Sequence, residues 1–192
     1  AGQGIKSAGI SFAKFSARSG YEVYTYIEYP SLVRGGHNVM QINTSLEPVL
    51  APSNSTDCLI ALNQEGVDFH VDELSEDSFI VFDSDASIDT SKVGEEAVLI
   101  GVPLLKMARE AGNDILLNTV ALGAVIALHG GNDELFKELV EEEYSDKGEK
   151  IIEMNYKAID LGSDYVREKF ADKINNVLDE KSSLAKTKKK MV

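Results

Sequence analysis

The sequence predicts an α/β fold in which helices cover both faces of a mainly parallel sheet, in three layers with a helical segment at the C-terminal end. Three observations carry this. Short β-branched or aromatic runs alternate with longer stretches of helical period, the arrangement expected of an α/β sandwich. Residues 57–62, 78–82 and 97–102 are short continuous apolar runs, as are strands buried on both faces. A glycine turn, Gly2-Gln3-Gly4, leads straight into an amphipathic stretch, as at a helix N-terminus.

The elements follow in order. Ile5, Ala8, Phe12, Ala13, Phe15, Ser16 and Ala17 recur at helical spacing and stop at Gly20, a residue able to end a helix in the left-handed conformation. Residues 21–27 (YEVYTYI) and 38–42 (NVMQI) alternate and read as strands, with 28–37 as the loop between them. The three apolar runs form the sheet centre. Pro103 suits the first turn of a helix that continues through Ala111 and ends at Gly112. Residues 118–128 read as a helix packed inside, apolar and rich in Ala and Gly, where small residues allow close approach. From Asn132, Leu135, Phe136, Leu139 and Val140 keep helical spacing above a solvated face of Glu141, Glu142 and Glu143. Two more helices are expected, at about 146–161 and 163–178. No internal repeat is evident. Residues 179–192, with Lys181, Lys186, Lys188, Lys189 and Lys190, read as a solvated linker or tail.

Composition narrows the function. The 192 residues are 43% hydrophobic, enough for one buried domain and short for two. Acidic residues outnumber basic ones 32 to 19, and the net charge of −13 opposes binding to a phosphate backbone, so no nucleic-acid partner is expected. No apolar run reaches the roughly 18 residues that span a bilayer, and no membrane partner is expected. The single cysteine, Cys58, precludes an internal disulfide. With no secretory signal at the start, a cytoplasmic location is expected. The sequons at Asn43 and Asn54 receive no weight. Because the chain begins at Ala1 on a glycine turn with no strand before it, it reads as processed, truncated or part of a longer polypeptide.

Two segments are fit to contact an anion. Gly2 and Gly4 can present free N–H groups at the first helix, although Gly9 is out of register for a dinucleotide fingerprint because Ser7 holds the third position. A tight structural turn explains the same glycines. In the loop Tyr29-Pro30-Ser31-Leu32-Val33-Arg34-Gly35-Gly36-His37, the guanidinium, the Ser31 hydroxyl and two glycines suit an anionic group or a partner surface. Asp83 and Asp85 follow a strand where α/β sheets place ligand contacts. His37, His70 and His129 are scattered, so no metal site is expected, and His70, beside Phe69 and Val71, reads as a packed residue. No nucleophile elbow, zinc motif or P-loop is present. No catalytic residue is assigned.

Four ordered motifs carry a resemblance: Gly2-Gln3-Gly4-Ile5, Glu28 through Asn38 with its Y-P-S-x-x-R-G-G-H-N core, Asn118-Thr119-Val120-Ala121-Leu122-Gly123, and Asn155 through Gly162. Together they resemble the gamma domain of 2-oxoacid:ferredoxin (acceptor) oxidoreductases, of the type fused ahead of the alpha, pyrimidine-binding domain. The resemblance implies a Rossmann-like gamma-type domain over residues 1–178, with its first strand missing before Gly2, and a linker over 179–192. It implies a complex that oxidatively decarboxylates a 2-oxoacid to its acyl-CoA and reduces ferredoxin. Alpha and beta parts are the implied partners, and thiamine pyrophosphate, an iron–sulfur cluster and coenzyme A belong to the complex rather than to this chain alone. Gly2, Gly4, Ser31, Arg34, Gly35 and Gly36 are the expected contacts to a ligand or partner, shaping the coenzyme A entrance. The Y-P-S-x-x-R-G-G-H-N segment leans towards 2-oxoglutarate or a broad range of oxoacids. The alternative is a free-standing Rossmann-like protein that binds a nucleotide at the Gly2/Gly4 turn.

Overall fold

The structure, a computed structural model, describes residues 4–28 and 36–178. Gly2, Ser31, Arg34, Gly35 and the segment 179–192 lie outside the described residues. Helix α1 (Ile5–Arg18) opens at Gly4, whose φ of 72° is left-handed, and leads into the strands β1 (Glu22–Glu28) and β2 (Val39–Ser45). These two pair antiparallel, with Thr25 opposite Ile42. Strand β3 (Thr56–Ala61), helix α2 (Gln64–His70), strand β4 (Leu74–Asp83) and strand β5 (Val98–Val102) follow. They form a three-stranded parallel sheet in the order β3-β4-β5. The expected parallel sheet is thus present, and β1 and β2 form a separate two-stranded ribbon.

Side chains leave opposite sides of a strand in turn, and β4 uses both sides. Phe79 and Val81 join Ile100 and Val102 under the helices α3 (Leu104–Ala111), α4 (Leu117–Leu128) and α6 (Glu149–Lys169). Ile80 and Phe82 pack on the other face with Leu59, Val67 of α2, Ile88 and Val93. That is why the sequence of β4 reads as a continuous apolar run. Helix α5 (Asp133–Tyr144) brings Phe136, Leu139 and Val140 against Phe15, Leu122, Ile126 and Ile159. Every residue from Val120 to Leu128 of α4 is buried.

Two expectations are corrected. Residues 149–169 form one helix rather than ending near 161, because Gly162 marks a close approach and not a break. A Cβ on Gly162 would lie 2.1 Å from the Val120 carbonyl oxygen, and one on Gly123 would lie 2.5 Å from that of Ile159. Beyond α6 there is only a short 3₁₀ turn, Ala171–Lys173, and then a segment tied to the end of α4. The Asn175 amide donates to the Leu128 carbonyl (3.0 Å), and the Leu178 amide donates to that of His129 (2.7 Å). Helix α2 is an addition, capped by the Asn63 side chain, which accepts from the Gly66 amide at 3.1 Å.

Candidate functional site

An open cleft of about 1170 Å³ separates the β1–β2 ribbon from the parallel sheet. Its apolar lining includes Ala8 and Phe12 of α1, Met40 and Ile42 of β2, Leu122 and Val125 of α4, and Leu178. Strand β3 runs along it from Thr56 to Ile60 with its outer edge unpaired, since β3 pairs only with β4 among the described residues. Its polar lining includes His37, His70, Asn63, Asn118 and His129, with Gly36 beside His37.

Of the predicted contacts, the structure describes Gly4 and Gly36. Gly36 lines the cleft with a φ of 95°, a conformation that favours glycine, and so turns the chain to present His37. Gly4 heads α1 without a side-chain cap, next to Asn118, whose amide nitrogen would be 2.9 Å from a Cβ at Gly4. Gly9 serves packing: a Cβ there would lie 2.2 Å from the Met40 sulfur of β2.

The cleft is electrostatically one-sided. Glu28, Asp57, Glu65, Glu73, Glu76 and Asp77 line it, and no described lining residue is Lys or Arg. Carboxylates alone repel a phosphate or carboxylate ligand. A cation from beyond the described residues is needed before an anion is attracted, and Arg34 stands in the segment that runs into Gly36.

Sequence spacing missed the meeting of two histidines. His37 Nε2 and His70 Nε2 are 2.7 Å apart, and His70 Nδ1 is 2.9 Å from Glu73 Oε2. The Phe69 ring lies against His37, with centroids 4.8 Å apart. Burial, and next the charge of His70, lower the His37 pKa below the ordinary imidazole value of 6.5; Glu65, Glu28 and Glu73 act in the opposite sense. His129 is separate: its Nδ1 is 3.0 Å from Asn175 Oδ1, its ring meets Phe79 edge-on, and burial lowers its pKa. Among the described residues no group of three His, Cys, Asp or Glu side chains is placed to hold a metal ion.

Asp83 has structural work. It is buried, its Oδ1 accepts from the Asp85 amide and its Oδ2 from the Leu105 amide, both at 3.1 Å. It therefore caps α3, supplying the acceptor that Pro103 cannot. The Cys58 thiol is pushed up to about 12 by burial.

Two of the four sequence motifs prove to be each other's packing partner. Asn118 to Gly123 lies on α4 and Asn155 to Gly162 on α6, and the Thr119 hydroxyl donates to Asn155 Oδ1 at 3.1 Å. Asn155 in turn donates to the Ile151 carbonyl at 2.9 Å. These motifs hold the helix pair together.

The comparisons with known proteins agree with one another. The family model described as pyruvate ferredoxin/flavodoxin oxidoreductase matches residues 1–165. The ketoisovalerate oxidoreductase subunit VorA of Methanothermobacter thermautotrophicus is 34% identical over 170 residues, which are 87% of this chain and 35% of that subunit. The chain thus spans about a third of the length of that curated relative. The 2-oxoglutarate:ferredoxin oxidoreductase from Magnetococcus marinus, solved with 2-oxoglutarate, coenzyme A and succinyl-CoA bound, superposes with a TM-score of 0.80 at 27% identity. That match covers 87% of this chain and 29% of the other. The gamma subunit of a keto/oxoacid ferredoxin oxidoreductase from Geobacter sulfurreducens gives a TM-score of 0.66 at 27% identity, over 85% of this chain and 91% of that one.

Proposed function

The chain belongs to the pyruvate ferredoxin/flavodoxin oxidoreductase family, and from that premise we propose that it is the gamma-type part of a 2-oxoacid:ferredoxin oxidoreductase. Its work there is assembly and the shaping of the coenzyme A entrance. The observation that carries this is coverage: the chain spans 91% of a solved gamma subunit but only about a third of longer relatives. Residues 1–178 are the domain, and 179–192 the linker towards an alpha part. The edge of β3 that is unpaired among the described residues supports a further strand before Gly2. The alpha and beta parts are the partners, the complex is cytoplasmic, and ferredoxin takes the electrons.

The oxidative chemistry belongs elsewhere in that complex. A single cysteine does not supply the four thiolates that a [4Fe–4S] cluster takes. The described cleft offers no cation to a diphosphate. Thiamine pyrophosphate and the cluster are thus assigned to the other parts, and no step is routed through this chain. Arg34, with Ser31, Gly35 and Gly36, is assigned the contact to coenzyme A or the partner, its guanidinium supplying the positive charge that the described lining of the cleft lacks. Gly2 and Gly4 are assigned the same role, contact to the ligand or the partner. Relatives named for ketoisovalerate and for 2-oxoglutarate share this domain, which supports an oxoacid choice made outside it. The resemblance leans towards 2-oxoglutarate or a broad range.

The test is anaerobic purification of the native protein, followed by viologen reduction with a 2-oxoacid and coenzyme A. Co-purification of a thiamine-dependent partner with activity is expected. Arg34→Ala in that complex is expected to raise the KM for coenzyme A or weaken assembly. A lone, inactive chain would overturn the reading.

A further inference from the structure

The hydrogen-bonded line Glu73, His70, His37 joins two elements that nothing in the backbone pairs: the turn at Gly36 that leads into β2, and the end of α2. His70 is buried, 9% exposed, whereas His37 is half-buried and follows directly on the glycine turn. The carboxylate fixes the chemistry of the line. Glu73 Oε2 accepts from His70 Nδ1–H, which leaves His70 Nε2 as a lone pair. His37 must then offer Nε2–H, and a single proton lies between the two rings.

That geometry limits the charge the pair can hold. One additional proton on either ring leaves one Nε2 lone pair to accept, and the line survives. A second would set two N–H groups head to head at 2.7 Å, with both donors unsatisfied. The charged groups around the rings are Glu28 of β1, Glu65 of α2 and Glu73, with the apolar ring of Phe69 packed on His37. The carboxylates hold the first proton but cannot accept at the Nε2–Nε2 contact.

We propose that His70, oriented by Glu73, is the positioning residue for His37 and hence for the turn at Gly36, and that acidification releases this turn from α2. The proposal goes beyond the assignment of the chain to an oxidoreductase and stands apart from it.

The test is amide hydrogen exchange by mass spectrometry on the native protein with its partners, at about pH 5 and about pH 8, normalised for intrinsic exchange. Exchange in residues 36–45 and 64–73 is expected to be several-fold faster at the lower pH, with residues 117–128 unchanged. His37→Gln keeps a neutral donor to His70 and is expected to abolish the pH difference while retaining protection. His37→Ala is expected to exchange fast at both pH values. His70→Gln repeats the neutral replacement from the other side, should the first variant fold poorly. Equal protection of the wild type at both pH values would overturn the proposal, as would a pH difference that survives in either glutamine variant. Acceleration of 117–128 in parallel would also overturn it.

Discussion

Gly162 of α6 rests on the carbonyl of Val120 in α4, with no room for a methyl group between them: a Cβ would stand 2.1 Å from the oxygen. Gly123 makes the reciprocal approach to Ile159. The helix pair is therefore set by backbone contact, and the small residues are a steric requirement.

Gly162→Ala is expected to destabilise the protein by about 1–3 kcal/mol or more, because a rigid backbone carbonyl cannot move aside as a side chain can. Gly94, where a Cβ would meet nothing within 4 Å, is the control. Its alanine variant is expected to be neutral or slightly stabilising. Chemical denaturation of the two variants compares them, and equal midpoints would refute the steric account.

Two ion pairs separate burial from mere proximity. Arg167 Nη1 is 2.6 Å from Asp133 Oδ2, and the Asp133 side chain is only 12% exposed. Arg109 and Asp114 are 3.0 Å apart, with side chains 63% and 58% exposed. Arg167→Ala leaves a sequestered carboxylate without its counter-charge and is expected to cost about 1–3 kcal/mol. Arg109→Ala is expected to leave stability almost unchanged, because solvent screens the pair. Urea midpoints for the two variants decide the matter, and the reverse order would contradict it.

Stability is expected to fall as pH drops below 6.5. Burial lowers the pKa of both His37 and His129 relative to 6.5, so in that window the unfolded chain binds more protons than the folded one. The contribution is complete above 6.5 and is lost as pH falls towards the folded values. His129→Gln is expected to flatten the urea-midpoint profile between about pH 7.5 and 5.5, and an unchanged slope would exclude His129 as a source.

Cys58 is expected to resist alkylation. With its thiol pushed up to about 12, the thiolate fraction at pH 8 is about one in 10⁴, and the thiolate is the nucleophile. Iodoacetamide is expected to label the native protein far more slowly than the denatured one. Comparable rates would show that the thiol is open to solvent.

Much of the fold was legible in the sequence because its elements announce their own burial. The runs that became β3, β4 and β5 lack alternation because both their faces are covered, and α4 lacks a polar stripe because it has no exposed side. Helix α2 escaped notice because Val67 is its one large apolar core residue among polar neighbours. The end of α6 was misplaced because a glycine that permits contact resembles one that stops a helix. The pairing of β1 with β2 and the meeting of His37 with His70 depend on tertiary placement. The histidines are 33 positions apart, and no periodicity records that.

Helix α4 also imposes an order on how this protein comes into being. Its apolar surface is sealed largely by α6, whose last residue leaves the ribosome forty-one positions after Leu128. At the usual pace of translation that gap is about 2–8 s. During it the nascent chain carries a strongly apolar helix whose α6-facing side has no cover, a target for chaperones and for neighbouring nascent chains. Slow codons placed between these helices would lengthen that vulnerable interval.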